Sequence, residues 1–378
     1  MKKVVLIMLI GILVFSSFVF INGCSKKENV IKIGAILPLT GNAAVYGKNA
    51  QKGIELARYQ INTDCINNKK IEIIYEDSRG RVTDGVAAFK KLIEVNKVDK
   101  VIGAVLSSVT LAIAPIAEKN KVVLLSPLSA APAITNAGDY IFRNVPSDYF
   151  GGAIAAEFAI SNMNWGKIGI LYINNDWGVG LSKRFEEVVK YLGGEIIISI
   201  PYKENETDFR TEIAKLKEKS QMIDVFFLVG YNEIPIFLIQ AKEIGLHAKY
   251  LGTGMLESPN LINIAKDAAD GIYFTQLQYD PYSEDELIQQ FVNSYKNEYN
   301  SEPDIMAAYG YDALFIIANA LQQVSNQEEF LKKLQETNIK GVTGEISFDL
   351  NGDVKQPMGV KIIEDGKFVW FKKDICIE

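Results

Sequence analysis

From residue 30 the chain alternates short apolar runs with longer stretches in which apolar side chains recur every three or four positions. The first pattern suits buried strands and the second amphipathic helices. "IKIGAILPL", "KIEIIYED", "VDKVIGAVL", "VVLLSP" and "YIFRNV" read as strands. Between them, "KNAQKGIELARYQIN" places Ala50, Ile54, Ala57 and Ile61 on one helical face. "TDGVAAFKKLIEVN" reads as a helix with Thr83 or Asp84 as its N-cap. The pattern then restarts. "KIGILYIN", "EIIISIPY", "MIDVFFLVG", "KYLGTG" and "DGIYFTQL" are strands, separated by helices such as "GVGLSKRFEEVVKYL" and "DFRTEIAKLKEK". Two more helices follow, "SEDELIQQFVNSYKNEY" and "PDIMAAYGYDALFIIANALQQV". The chain closes in strands punctuated by Asn351-Gly352-Asp353 and Asp365-Gly366, which are turn signals. Alternation of this kind predicts an α/β protein with parallel sheets covered by helices. It comes as two units of similar size without a sequence repeat.

Length agrees with two units, since 378 residues exceed what one core usually holds. Composition is ordinary for a globular protein, at 48% apolar and 23% charged. The net charge is −6, and no basic run interleaves with aromatics, so nucleic acid is not an expected partner. A single histidine, His247, leaves little room for Ser-His-Asp chemistry, and it sits just before a strand rather than after one. The cysteines Cys24, Cys65 and Cys376 are far apart and form no CxxC, so no metal site is expected. No GxGxxG follows the first strand and no GxxxxGK[ST] occurs, so no nucleotide cofactor is expected.

The first residues form a different object. Lys2 and Lys3 precede an apolar run from Val4 to Ile21, followed by Asn22, Gly23 and Cys24. This is the layout of an export signal. "INGC" resembles a bacterial lipobox, in which the cysteine is lipidated and becomes the new N-terminus. Residues 1–23 are then signal, and 24–29 a polar tether from lipidated Cys24. An uncleaved anchor and a simple cleaved signal are the alternatives, because the apolar run is just long enough to span a bilayer. All three place the chain from about residue 29 outside the cytoplasmic membrane, where Cys65 and Cys376 could pair, an unpaired and partly buried thiol being the equal alternative.

In an open parallel sheet, ligands bind beyond the C-terminal ends of the strands. The loops there carry hydroxyls, amides and aromatics. They are "LTGNAAVYG" with Tyr46, "LSSVT" with Ser107 and Ser108, and "SPLSAAP" with Ser126 and Ser129. The second unit adds "NNDWG" with Trp177 and "VGYNE" with Tyr231. Helix N-termini beside the serines suit a carboxylate or other small anion. The serines also suit plain helix capping. Pro115, deep in the following helix, predicts a kink or a late helix start.

"IKIGAILPLTG…YG", "VIGAVLSSVT…AP…EKNKVVLLSP", "LYINNDWGVG" and "GDVKQPMGV" together resemble the solute-binding proteins of branched-chain amino acid ABC transporters, over residues 30 to the C-terminus. The resemblance implies two Rossmann-like lobes joined by a three-crossing hinge. Lobe 1 would span 30–146 and 277–341, and lobe 2 would span 147–276 and 342–378. A ligand is trapped between them by hinge closure. The implied partners are a small-molecule ligand, an ABC permease and, through the lipid anchor, the membrane; the implied state is a monomer, without cofactor or catalysis. By position, Ser107 would meet the ligand carboxylate, with Tyr46 as a pocket wall and Trp177 and Tyr231 as lobe 2 aromatics. Leu128 would offer its carbonyl to the ammonium, and Met306 would be an apolar wall. Two positions depart from the family pattern. Ala130 stands where amino-acid binders have a threonine, with Ser129 one residue earlier. Gly254 stands where they have the glutamate that pairs with the ammonium, with Glu257 three residues later. A small carboxylate without the amine, or an amide, is therefore the alternative ligand to an amino acid, and ligand sensing the alternative to transport.

Overall fold

The structure, a computed structural model, describes residues 30–322 and 324–372. The expectations for the signal, Cys24 and Cys376 lie outside the described residues. Cys65 is in no disulfide among the described residues. No helix among the described residues is long and apolar enough to cross a membrane.

Two sheets organise the chain. The first holds β1 (Val30–Leu37), β2 (Lys70–Asp77), β3 (Lys100–Gly103), β4 (Val123–Ser126) and β5 (Ile141–Arg143) in the order β2-β1-β3-β4-β5. Every pairing in it is parallel. The second holds β6 (Lys167–Ile173), β7 (Glu195–Tyr202), β8 (Val225–Val229), β9 (Tyr250–Gly252) and β10 (Tyr273–Leu277), joined by β13 (Met358–Glu364) and β14 (Lys367–Lys372). Its order is β14-β13-β10-β9-β8-β6-β7. β6 to β10 pair in parallel, and the last two strands are antiparallel. The largely apolar strands β3, β4 and β8 are buried at every position, as strands covered on both faces must be. Asp365 and Gly366, with φ of 50° and 71°, turn β13 into β14 as that sequence signal predicts.

The helices that position the site are α1 (Ala44–Asp64), α2 (Val82–Lys90), α3 (Ser107–Asn120), α4 (Asp148–Glu157) and α5 (Asp176–Tyr191). After them come α6 (Arg210–Lys219), α7 (Ile234–Ile244), α8 (Pro259–Ala265), α9 (Glu286–Tyr299), α10 (Ile305–Ala320) and α11 (Gln327–Gln335). α1 and α10 lie unusually close. A methyl group on Gly53 would meet the Ala307 carbonyl oxygen at 1.9 Å, and one on Gly310 would meet that of Ala50 at 2.3 Å. Ile33, Leu37, Ile54, Leu125, Leu314 and Ile317 fill the core beneath this pair.

Three chain crossings join the lobes, at 144–147, at 278–285 and after β12 (Gly344–Ser347). The third comes later than the expected 341–342. Val342, Ile346 and Val354 pack in the lobe 1 core. Asp312 on α10 holds the turn of the hairpin formed by β11 (Asn338–Gly341) and β12. It accepts from the Val342 and Thr343 amides at 2.9 Å each and from Thr343 Oγ1 at 2.6 Å. Lobe 1 thus keeps the chain to about residue 354. α11 and β11 were not foreseen. The capping expectations also change. α2 begins at Val82 after Arg81, and neither Thr83 nor Asp84 caps it. α3 begins at Ser107 after Leu106, without a side-chain cap, and runs through Pro115 to Asn120. The late start is absent: the helix takes Pro115 into its interior.

Arg143 fastens the hinge. It is fully buried and grips Asp353 with two bonds, from Nε at 2.6 Å and from Nη2 at 2.7 Å. It also donates to the Ala131 carbonyl at 2.8 Å and to Thr135 Oγ1 at 2.6 Å. The bidentate form of the pair compensates for burying both charges. It pins the first crossing to the third.

Candidate functional site

The C-terminal ends of both sheets face one cavity. From lobe 1 come Tyr46, Ser107, Leu128, Ala130, Ile305 and Met306. Opposite them lie Trp177, Tyr231, Thr253, Gly254, Gln276 and Met358, with Asp148 at the start of α4. The cavity offers about 100 Å³ to the centres of water-sized groups. One water takes roughly 10–15 Å³ on that measure, so the space suits a molecule of about ten heavy atoms or fewer.

The lobe 1 wall is built on a helix end. α3 begins where β3 leads into the cleft, so the first-turn amides of Ser107 and Ser108 have no acceptor within the helix. Ser107 is 3% exposed, and its Oγ accepts from the Ala131 amide at 3.2 Å. That bond orients the hydroxyl and leaves its proton to donate. Together with the positive end of the helix dipole, this favours an anion. Ala131 is itself held by Arg143, so the hinge clamp and Ser107 share a support.

Three expected residues stand elsewhere. Ser108 is half-buried and does not line the cavity. Ser129 is fully buried behind the wall; its hydroxyl donates to the Ala104 carbonyl at 3.0 Å and lies 2.7 Å from Thr110 Oγ1. Those bonds occupy it, so it does not replace the hydroxyl missing at Ala130. Glu257 is likewise outside the lining. It pairs with Lys361 Nζ at 2.5 Å and accepts from Gln276 Nε2 at 2.9 Å.

Lobe 2 contributes an aromatic wall. Asn175 caps α5 by accepting from the Gly178 amide at 2.9 Å, which sets Trp177 in the first turn. The Trp177 ring stacks on Tyr231, with centroids 4.7 Å apart and planes 17° apart. Tyr231 in turn meets Tyr46 of lobe 1 at 6.0 Å. The lobes also touch at the rim, where Asn42 Nδ2 donates to Asn205 Oδ1 and Asn232 Nδ2 donates to the Asn42 carbonyl at 3.1 Å.

Asp148 was missed in the sequence. It is the one carboxylate lining the cavity among the described residues. Ser147 caps α4, and the Asp148 amide donates to the Ala130 carbonyl at 2.8 Å, so this aspartate bridges the two walls. Trp177 Nε1 donates to its Oδ2. Burial raises the Asp148 carboxyl to a pKa of about 6, while the indole bond and nearby Arg143 pull the other way. The sequence does carry a signal for it: "VPSD" follows the fifth strand and opens a helix. The sole histidine, His247, is exposed and outside the cavity. No group of three or more His, Cys, Asp or Glu side chains that could hold a metal occurs among the described residues.

Two α/β lobes, three crossings and a ligand-sized cavity between opposed strand ends define a two-lobed solute-binding protein. The chain belongs to the periplasmic binding protein family, whose model matches residues 30–367. It is 26% identical over 336 residues to the leucine-, isoleucine-, valine-, threonine- and alanine-binding protein of Pseudomonas aeruginosa, covering 88% of this chain and 89% of that protein. The crystal structure of a leucine-binding protein from Thermotoga maritima superimposes with a TM-score of 0.84 at 30% identity, covering 90% of this chain and 97% of that one. A solute-binding protein of an ABC transporter from Rhodopseudomonas palustris BisB5, in complex with 3,4-dihydroxybenzoic acid, gives a TM-score of 0.83 at 26% identity, over 93% and 99% of the two chains.

Proposed function

We propose that this protein captures a small α-amino acid of the branched-chain type between its lobes and delivers it to an ABC permease. Asp148 carries the reading. An ammonium buried by lobe closure without a carboxylate loses several kcal/mol of hydration, and Gly254 supplies none. Asp148 supplies one from the neighbouring loop, beside the Ser107 hydroxyl and the open end of α3 for the carboxylate. The amino acids named for the Pseudomonas and Thermotoga relatives support the same class. The protein acts as a monomer by binding and release, without chemistry on the ligand. It works outside the cytoplasmic membrane, tethered through lipidated Cys24. The aromatic surface of Trp177, Tyr231 and Tyr46 favours a second reading, an aromatic acid such as the Rhodopseudomonas relative holds.

The test is a thermal-shift screen of the full chain in detergent against amino acids, their deaminated analogues and small amides. A ligand that binds the folded state raises the melting temperature by mass action. Shifts with leucine, isoleucine or valine are expected; shifts confined to acids lacking the amine would replace this reading with the second.

A further inference from the structure

α4 carries two adjacent glycines, Gly151 and Gly152, in different surroundings. A methyl group on Gly152 would meet the Leu181 carbonyl oxygen and the Phe185 amide of α5, each at 3.2 Å, so this glycine lets the two helices pack closely. Gly151 lines the cavity instead. A methyl group there would lie 2.7 Å from Asp148 Oδ1, and the next nearest residue is Met358, with Cε at 3.8 Å. The backbone at 151 is helical and φ is not positive, so neither turn geometry nor helix packing calls for glycine at this place. Glycine is also a poorer helix former than alanine. What the missing side chain leaves free is the space over Asp148 Oδ1. Trp177 Nε1 holds the other oxygen, Oδ2, so the carboxylate cannot turn away from a methyl group and keep that bond. The oxygen that a side chain at 151 would displace is therefore the one left for a ligand.

Resting on the amino-acid reading above, we infer that Gly151 is a positioning residue: its bare Cα lets the Asp148 carboxylate lie over the first turn of α4 with Oδ1 toward the ligand's ammonium, and any side chain at 151 removes the preference for the amine. A buried ammonium is favoured only while its counter-charge stays within reach.

Calorimetric titration of the full chain in detergent with leucine and with 4-methylpentanoate tests this on wild type, Gly151→Ala and Gly152→Ala. Wild type should favour leucine by about 100-fold or more. Gly151→Ala should bring the two affinities within about tenfold by weakening leucine alone, with a melting temperature no lower than that of wild type. On the Asp148→Asn background the same change should cost leucine no more than about twofold further, because both substitutions act on one interaction. Gly152→Ala should do the reverse, lowering the melting temperature and keeping the ratio. Equal losses for both ligands in Gly151→Ala overturn the inference, because the methyl group then occupies the ligand's own space. An unchanged ratio overturns it as well, and so does a melting temperature well below that of wild type, which would assign the space at 151 to packing. A ratio lost equally in Gly152→Ala also overturns it, since any disturbance of α4 would then suffice. In all these cases the amino-acid reading stands. A wild type with no preference for leucine removes that reading and this inference with it.

Discussion

The two walls of the cleft use polar groups differently. On lobe 1 the polar groups at the cleft belong to a helix end: Ser107, the first amides of α3, and a hydroxyl oriented by the Ala131 amide. Such a wall follows from topology, because any strand-to-helix turn at that edge presents amides. On lobe 2 the polar side chains are mostly paired with one another. Glu257 has the right charge for an ammonium but gives it to Lys361 and Gln276. Asp148 keeps an oxygen available, because Trp177 takes only Oδ2. Residue type alone does not make a ligand contact; what decides is whether the protein has already satisfied the group.

Asp148→Asn should break this contrast most severely. Affinity for an amino acid should fall by about 100-fold or more, since an ammonium loses its buried counter-charge. Stability should move the other way. The folded pKa of about 6 lies above the ordinary aspartate value of 3.8. The aspartate's favourable contribution is therefore complete below about pH 4 and lost as pH rises through 6. The ligand-free variant should melt higher than wild type at pH 8, by an equivalent of at most about 3 kcal/mol, and the gap should close near pH 4. A melting series across pH reads this directly; an unchanged gap would show that Asp148 is not ionised at cost. In wild type, ligand affinity should also drop below about pH 6, as protons compete for the carboxylate.

Ser107→Ala acts on the opposite wall with a smaller effect. Loss of one charge-assisted hydrogen bond should weaken binding about tenfold. The Ala131 amide also loses its acceptor, so about 1 kcal/mol of stability should go with it; denaturant midpoints separate the two effects. Glu257→Gln is the mildest for binding. Affinity should stay within about twofold, while stability falls by about 1–2 kcal/mol because Lys361 loses its counter-ion. A large loss of affinity with normal melting would put Glu257 back in contact with the ligand.

The parallel sheets were legible because their central strands β3, β4 and β8 are buried on both faces and read as mostly apolar runs. Tyr46, Ser107, Leu128, Ala130, Trp177, Tyr231 and Met306 were legible as strand-end or wall positions, and they do meet at one cavity. Hydrogen-bond partners 100 or more residues away were not. Lys361 bonds Glu257 across 104 positions, and no local pattern marks that pair. Ser129 lies in the expected loop, but its hydroxyl turns to Ala104 and Thr110. β11 was hidden for a related reason. "NIKG" is half polar, and its place depends on Asp312, about 30 residues earlier, holding the hairpin turn.

The proposed capture of the ligand's ammonium by Asp148 is open to one direct measurement. Calorimetric titration with leucine and with 4-methylpentanoate, the same skeleton without the amine, tests it on wild type and on Asp148→Asn. Wild type should bind leucine about 100-fold or more tightly than the acid, and the substitution should erase this advantage. Equal binding of both compounds to wild type, or undiminished leucine binding by Asp148→Asn, would contradict it.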